Sequence, residues 1–289
     1  MLIPRSFQFS QGSLQDYVDC RRRFQLLHLQ RRAWPAVEVE PVLENERYMK
    51  QGTWFHRLIQ QNLLGIPAGR LSVLARDEHL GGWWQNYLDH RPDIHCLDEP
   101  DMIGATRRPE LNLVAPLAGF NLVAKCDLIV TVPGRRAVIF DWKTSRKRPP
   151  RNWLAARLQT RVYPYLLVRA GAHLNAGLPF RPEQVEMLYW FAGFPDRPER
   201  FPYSPEQYRA DDAYLTGLVA EAACLQEVDF YLTPLLERCK YCVYRSLCGR
   251  GTQAGVSDED GAGLEQEQAG DLASEELAFD FDQIAEIEF

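Results

Sequence analysis

Between Glu110 and Lys143 apolar residues fall on alternate positions: Leu111 and Leu113, then Leu122, Ala124, Cys126, Leu128 and Val130. The run is interrupted at Pro133-Gly134 and resumes from Ala137 to Lys143. A period of two is the spacing of a strand, and Pro-Gly is turn chemistry, so this stretch predicts paired strands and excludes an all-helical fold. On both sides the apolar spacing becomes helical. Leu14, Tyr17, Cys20, Phe24 and Leu27 predict one amphipathic helix, with Ser10 or Ser13 as N-cap. A second covers Glu44 to Leu64, with Tyr48, Phe55, Leu58, Ile59 and Leu63 around His56, and a third surrounds Trp83, Trp84 and Tyr87. Trp153 to Arg169 and Pro205 to Gln226 predict further helices, and Val185 to Ala192 a further strand. Helices, a strand meander, then another helix and strand imply an α/β core: a central mixed sheet flanked by helices, with a helical N-terminal lobe.

The chain has 289 residues and is 46% hydrophobic, enough to bury a sizeable core. No apolar run approaches the roughly 18 residues of a membrane span, and Met1 to Gly12 lacks a signal-peptide pattern, so the expectation is a cytoplasmic protein with no membrane partner. Thiols in that compartment are structural groups or metal ligands rather than disulfides. The formal net charge of −6 is unevenly spread. Residues 252–289 hold twelve acids and no Lys or Arg, leaving 33 basic against 27 acidic groups in residues 1–251. Basic clusters at Arg21-Arg22-Arg23, Arg31-Arg32, Arg107-Arg108, Arg135-Arg136 and Arg146-Lys147-Arg148 with Arg151 suit a polyanion, although any one of them alone is more simply a solvated face. The expected organisation is therefore a folded body over residues 1–251 and an acidic disordered tail over 252–289.

Within the strand Val138 to Thr144, alternation sends Asp141 and Lys143 to one face and Phe140 and Trp142 to the other. Asp127 lies on the expected neighbouring strand, where the Pro133-Gly134 hairpin can bring its carboxylate near Asp141. Two carboxylates at one spot hold a hard cation such as Mg²⁺, and a lysine beside them can orient water or neutralise developing charge. A lone D-x-K is more often a weak surface ion pair. Here it has company: Gln159 and Tyr163 stand four apart on the following helix, and Gly52 to His56 places a histidine on a helix upstream.

Taken in order, Gly52/His56, Asp127, Asp141/Lys143 and Gln159/Tyr163 resemble the motif series of the RecB-like branch of the PD-(D/E)XK nuclease superfamily. The resemblance implies a restriction-endonuclease-like core. It also implies that His56, Asp127 and Asp141 bind Mg²⁺ or Mn²⁺, with Glu110 as a further acidic ligand. Lys143 is then catalytic, and Gln159 and Tyr163 support the phosphate and the lysine. The glycine often found shortly before the first Asp is Ala124 here.

Near the end of the body, Cys239, Cys242 and Cys248 form a C-x₂-C-x₅-C array that needs a fourth ligand. Four thiolates satisfy zinc as readily as an iron–sulfur cluster. Leu14, Tyr17, Cys20 and Phe24 resemble the N-terminal helix of iron–sulfur nucleases, the AddB proteins and CRISPR-adaptation exonucleases, which implies a 4Fe-4S cluster on Cys20, Cys239, Cys242 and Cys248, stapling the ends of the core together. Cys96, Cys126 and Cys224 read as buried small hydrophobes. The implied activity is metal-dependent cleavage of single-stranded or end-bearing DNA in repair, recombination or defence. With no G-x-x-x-x-G-K-[ST] in the chain, unwinding falls to a separate helicase or a recombination or defence partner. The alternative is a non-cleaving DNA-binding or scaffold subunit of a helicase–nuclease complex.

Overall fold

The computed structural model describes residues 3–33, 42–92 and 98–251, and the side chains of these except 42–46. The expected acidic tail and Cys96 lie outside the described residues.

The order of elements is strand β1 (Gln8–Ser10), helices α1 (Gln11–Asp19) and α2 (Arg21–Phe24), a π turn at Gln25–Leu29, then helices α3 (Val42–Leu63), α4 (Ala68–Ser72) and α5 (Glu78–His90). Strands β2 (Thr106–Leu117), β3 (Phe120–Val132) and β4 (Arg136–Lys143) follow, then helices α6 (Arg151–Ala156) and α7 (Leu158–Ala170), strands β5 (Val185–Phe191) and β6 (Glu199–Pro202), and helix α8 (Pro205–Cys224). The starts of the helices show their sequence logic. Ser10 and Ser13 form a reciprocal capping box on α1, Asp77 caps α5, and Ser204 caps α8 just ahead of Pro205.

Six strands make one mixed sheet in the order β1-β3-β4-β5-β6, with β2 on the other edge of β3. The β2–β3 and β3–β4 pairs are antiparallel, and β4–β5 is parallel, with α6 and α7 in the crossover. Gly134, at φ +76°, supplies the left-handed residue of the predicted β3–β4 turn. One face of the sheet packs under Leu14, Tyr17 and Phe24 from the N-terminal helices, Leu158, Val162 and Leu166 of α7, and Leu215 and Val219 of α8. The opposite face packs under Phe55, Leu58 and Ile59 of α3 and Trp83, Trp84 and Tyr87 of α5. The result is a mixed sheet flanked by helices with a helical N-terminal region, as expected from the spacing of the apolar residues.

Four details differ from that expectation. The first helix is not continuous, because Cys20 adopts an extended backbone (φ −164°, ψ 107°) that closes α1 and opens α2. The helix expected from Trp153 to Arg169 is broken at Arg157, also extended, so that Leu158 begins a new helix. The alternation in β3 changes phase: Leu122, Ala124 and Cys126 join one core layer, but Leu128 and Val130 join the other, with Ile129 now taking the first layer. The slip falls at Cys126–Asp127, opposite Glu110, whose φ of +54° departs from strand geometry. Cys224, at the end of α8, is exposed rather than buried. Two short strands, β1 and β6, carried too few residues for a periodic signal.

Candidate active site

Strand β4 carries Ile139, Asp141 and Lys143 toward the layer covered by α7, and Phe140 and Trp142 toward the layer covered by α3 and α5. Asp127 stands at the phase slip in β3, across from Asp141 in the β3–β4 register. Asp127 is fixed from two directions. Its Oδ2 accepts the backbone N–H of Trp142 at 2.8 Å, and its Oδ1 lies 3.2 Å from Nδ1 of His56 on α3. Asp141, 3% exposed, accepts a hydrogen bond from Gln159 Nε2 at 2.6 Å on Oδ1, and its Oδ2 lies 3.1 Å from Lys143 Nζ. Lys143 is itself buried, its ammonium 5.7 Å from the ring centre of Tyr189. Glu110 stands across from Asp127 and pairs with Lys125 at 2.8 Å. Tyr163 is buried one turn beyond Gln159.

The protonation of these groups shows how closely they crowd. Burial raises Glu110, and the Asp127 carboxylate raises it further against the opposing pull of Lys125. Burial pushes the Cys126 thiol well up, with Asp127, Asp141 and Glu110 adding to it, and pushes the Tyr163 phenol up beside Asp141. Burial works against a charge on His56, but the Asp127 carboxylate outweighs it and raises the imidazole to about 9. Asp127 is held below the usual carboxylate range: its burial opposes this, and His56, the Trp142 N–H and Lys143 overcome it.

His56, Glu110, Asp127, Asp141, Lys143, Gln159 and Tyr163 are thus brought together. Asp127, Asp141, Glu110 and the His56 imidazole are the hard oxygen and nitrogen donors that Mg²⁺ or Mn²⁺ takes, and a divalent cation would relieve the repulsion among the carboxylates. Among the described residues no three His, Cys, Asp or Glu side chains already stand in a set that closes on a single ion.

Sequence reasoning placed Tyr48 only as an apolar position of its helix and gave Lys125 no role. Tyr48 lies two turns before His56 on the same face of α3, and its hydroxyl donates to the carbonyl of Thr144, the residue after Lys143. Helical spacing extended backward from Gly52 and His56 would have found it. Many of the arginines counted as polyanion-binding are engaged internally: Arg136 with Glu99, Asp101 and Glu186, Arg21 with Glu221, and Arg148 and Arg151 with Glu199. Arg146 and Lys147, directly after the Lys143 strand, are exposed, and the Arg146 guanidinium lies 4.5 Å from the centre of the Tyr48 ring.

Cys20, Cys239, Cys242 and Cys248 line a single small cavity together with Arg23, Arg238 and Arg245. The extended backbone at Cys20 is what places it there. Burial raises the Cys242 thiol to about 11 and also raises Cys248, so a metal that takes these as thiolates must displace protons. Thiolates are the donor type of zinc and iron–sulfur sites, and the adjacent arginines suit a group of net negative charge, but these four sulfurs do not already stand closed on one ion.

The family model of the PD-(D/E)XK nuclease superfamily matches residues 8–249, and the chain belongs to that superfamily. Its members are nucleases, hydrolases of phosphodiester bonds. A solved structure of a candidate exonuclease from Eubacterium rectale shares the fold at a TM-score of 0.50 and 9% identity, covering 86% of this chain and 91% of that one. SSO0001 matches over 85% of this chain and 87% of its own at 14% identity, with a TM-score of 0.41. No curated protein matches the sequence. Among the described residues no helix is long and apolar enough to cross a membrane.

Proposed function

We propose that the chain is a Mg²⁺- or Mn²⁺-dependent deoxyribonuclease of the RecB-like kind, acting on single-stranded or end-bearing DNA. The observation that carries this is the meeting of Asp127, Asp141 and Glu110 with His56 and Lys143 where β2, β3 and β4 adjoin. A bound divalent cation supplies Lewis acidity toward the phosphoryl oxygens and a more acidic water. The chain's own groups do the rest. Asp127 and Asp141 are the principal ligands, with Glu110 and His56 completing the set. Lys143, beside Asp141, orients the attacking water and balances negative charge developing on the phosphorus. Gln159 fixes the rotamer of Asp141 through its 2.6 Å bond and so sets where the lysine's partner stands. Tyr163, kept neutral by burial, is a donor for a phosphate oxygen. Arg146 and Lys147 are placed to meet the backbone of the incoming strand.

The exonuclease name of the Eubacterium rectale structure supports action at ends. The four cysteines are assigned to a 4Fe-4S cluster that ties the α1–α2 junction to the C-terminal loops, with zinc as the substitute. Work in DNA repair, recombination or defence alongside a separate helicase follows from the same reading. The test is incubation of anaerobically purified protein with end-labelled single- and double-stranded DNA in Mg²⁺, Mn²⁺ or EDTA. Cation-dependent products are expected, and binding without cleavage in either metal would leave the scaffold reading in its place.

A further inference from the structure

The start of α7, the helix that presents Gln159 to Asp141, lacks a local cap. The residue before it, Arg157, makes no side-chain capping bond, although the first backbone N–H groups of a helix have no intrahelical partner. The missing acceptor comes from a distant segment: Gln15 Oε1, on α1, takes the N–H of Leu158 at 3.2 Å. The other end of the same amide, Nε2, donates to Asp19 Oδ1 at 3.2 Å. Asp19 is buried and binds two arginines, Arg23 at 3.2 Å and Arg238 at 3.3 Å. Both of those arginines line the cysteine cavity. One unbroken series of polar contacts therefore runs from the cavity wall through Asp19 and Gln15 to the first N–H of α7, one residue from the side chain that holds Asp141.

We propose that Gln15 is a positioning residue that couples the four-cysteine cavity to the active site by fixing the start of α7. The proposal rests on Gln159 and Asp141 belonging to the catalytic site. The physical basis is the dual character of a carboxamide: it accepts from the helix and donates to the network that the cavity organises. Loss of the cavity's order frees Asp19, then Gln15, and the first turn of α7 frays with Gln159 on it. Asp141 then loses the bond that sets its rotamer, while the surfaces that grip DNA are untouched.

The amide of Leu158 is a direct reporter, because a first-turn N–H is protected from exchange only if something outside the helix accepts it. In the full chain Leu158 is expected to be protected. Gln15→Leu should speed its exchange on the order of tenfold and lower kcat by a similar factor, the worth of one hydrogen bond, with KM nearly unchanged. Gln15→Glu keeps an acceptor for Leu158 but sets a carboxylate against Asp19 in place of the donor, so it should protect Leu158 more than Gln15→Leu does while losing the response to Cys242→Ser, which a general packing defect would not do. Cys242→Ser should speed Leu158 exchange as Gln15→Leu does. An unprotected Leu158 in the wild type, or a Gln15→Leu protein with wild-type exchange and kcat, overturns the proposal, and a protected Leu158 in Cys242→Ser overturns its link to the cavity. If the wild type cuts no DNA, the nuclease reading fails on its own, and the exchange arms still judge the role of Gln15.

Discussion

Gly52→Ala adds one methyl to α3 at a position where the helix crosses the end of β4. A Cβ built there lies 3.0 Å from Thr144 Oγ1, tighter than most such contacts, so the Thr144 side chain, the helix or the strand must give by a few tenths of an ångström. Alanine is intrinsically the better helix former by about 1 kcal/mol, and overpacking costs about 1–3 kcal/mol, so the net change in stability should be a loss of roughly 0–2 kcal/mol. Function should suffer more than stability, because the same face of α3 carries Tyr48, bonded to Thr144 O one turn before, and His56, bonded to Asp127 one turn after. Displacing α3 from Thr144 moves His56 away from Asp127. Gly82→Ala, inside α5, is the internal comparison: its Cβ meets nothing within 4 Å, so it should stabilise by up to about 1 kcal/mol. Thermal unfolding of both variants, with Mn²⁺ titration and DNA cleavage, checks this. Combining Gly52→Ala with Thr144→Ala, which removes the clashing oxygen, should recover activity non-additively. If Gly52→Ala stabilises as much as Gly82→Ala and binds Mn²⁺ like the wild type, the close approach of α3 does not position His56.

Replacement of Asp127, Asp141 or Lys143 by Ala should lower cleavage by orders of magnitude while leaving DNA binding, read by fluorescence anisotropy, largely intact; a wild-type rate from Asp141→Ala would refute the site. His56 sits above its ordinary 6.5, at about 9, so in EDTA its pairing with Asp127 stabilises fully below 6.5 and is lost as pH climbs toward 9. The melting temperature should therefore fall across that window relative to His56→Ala, and Mn²⁺ affinity should rise across it as the competing proton leaves; parallel pH profiles for the two proteins would contradict this. Cys20→Ala should destabilise the protein as much as Cys242→Ala, and anaerobic protein should be brown; colourless protein holding one zinc and no iron would replace the cluster assignment. Deleting residues 252–289 changes the formal charge from −6 to +6, so tighter DNA binding at low salt that fades as salt rises is expected if the acidic stretch competes for the DNA surface, and equal binding at low salt would exclude that competition.

Long periodic segments were legible because burial of one face writes itself into residue spacing: α3, α5, α8 and β5 stand within a few residues of where apolar periodicity puts them. The candidate-site residues could be nominated because the proposed chemistry asks for residue types at fixed offsets, as with Asp141 and Lys143 two apart on a strand and Gln159 and Tyr163 four apart on a helix. What the spacing hid were the places where backbone geometry breaks its own period to serve the site. Cys20 sits in a perfect helical series, yet leaves the helix so that its thiol can face residues more than two hundred positions later. Alternation through β3 is unbroken in the sequence because Cys126, Leu128 and Val130 are all apolar, and apolar residues satisfy either layer of a sheet buried on both sides. A charged residue is not indifferent to the phase, and Asp127 sits at the slip itself. The slip that sends Leu128 to the layer opposite Cys126 falls at Asp127, whose carboxylate there meets both the Trp142 N–H of β4 and His56 of α3, so an irregularity invisible to periodicity lies at the centre of the candidate site.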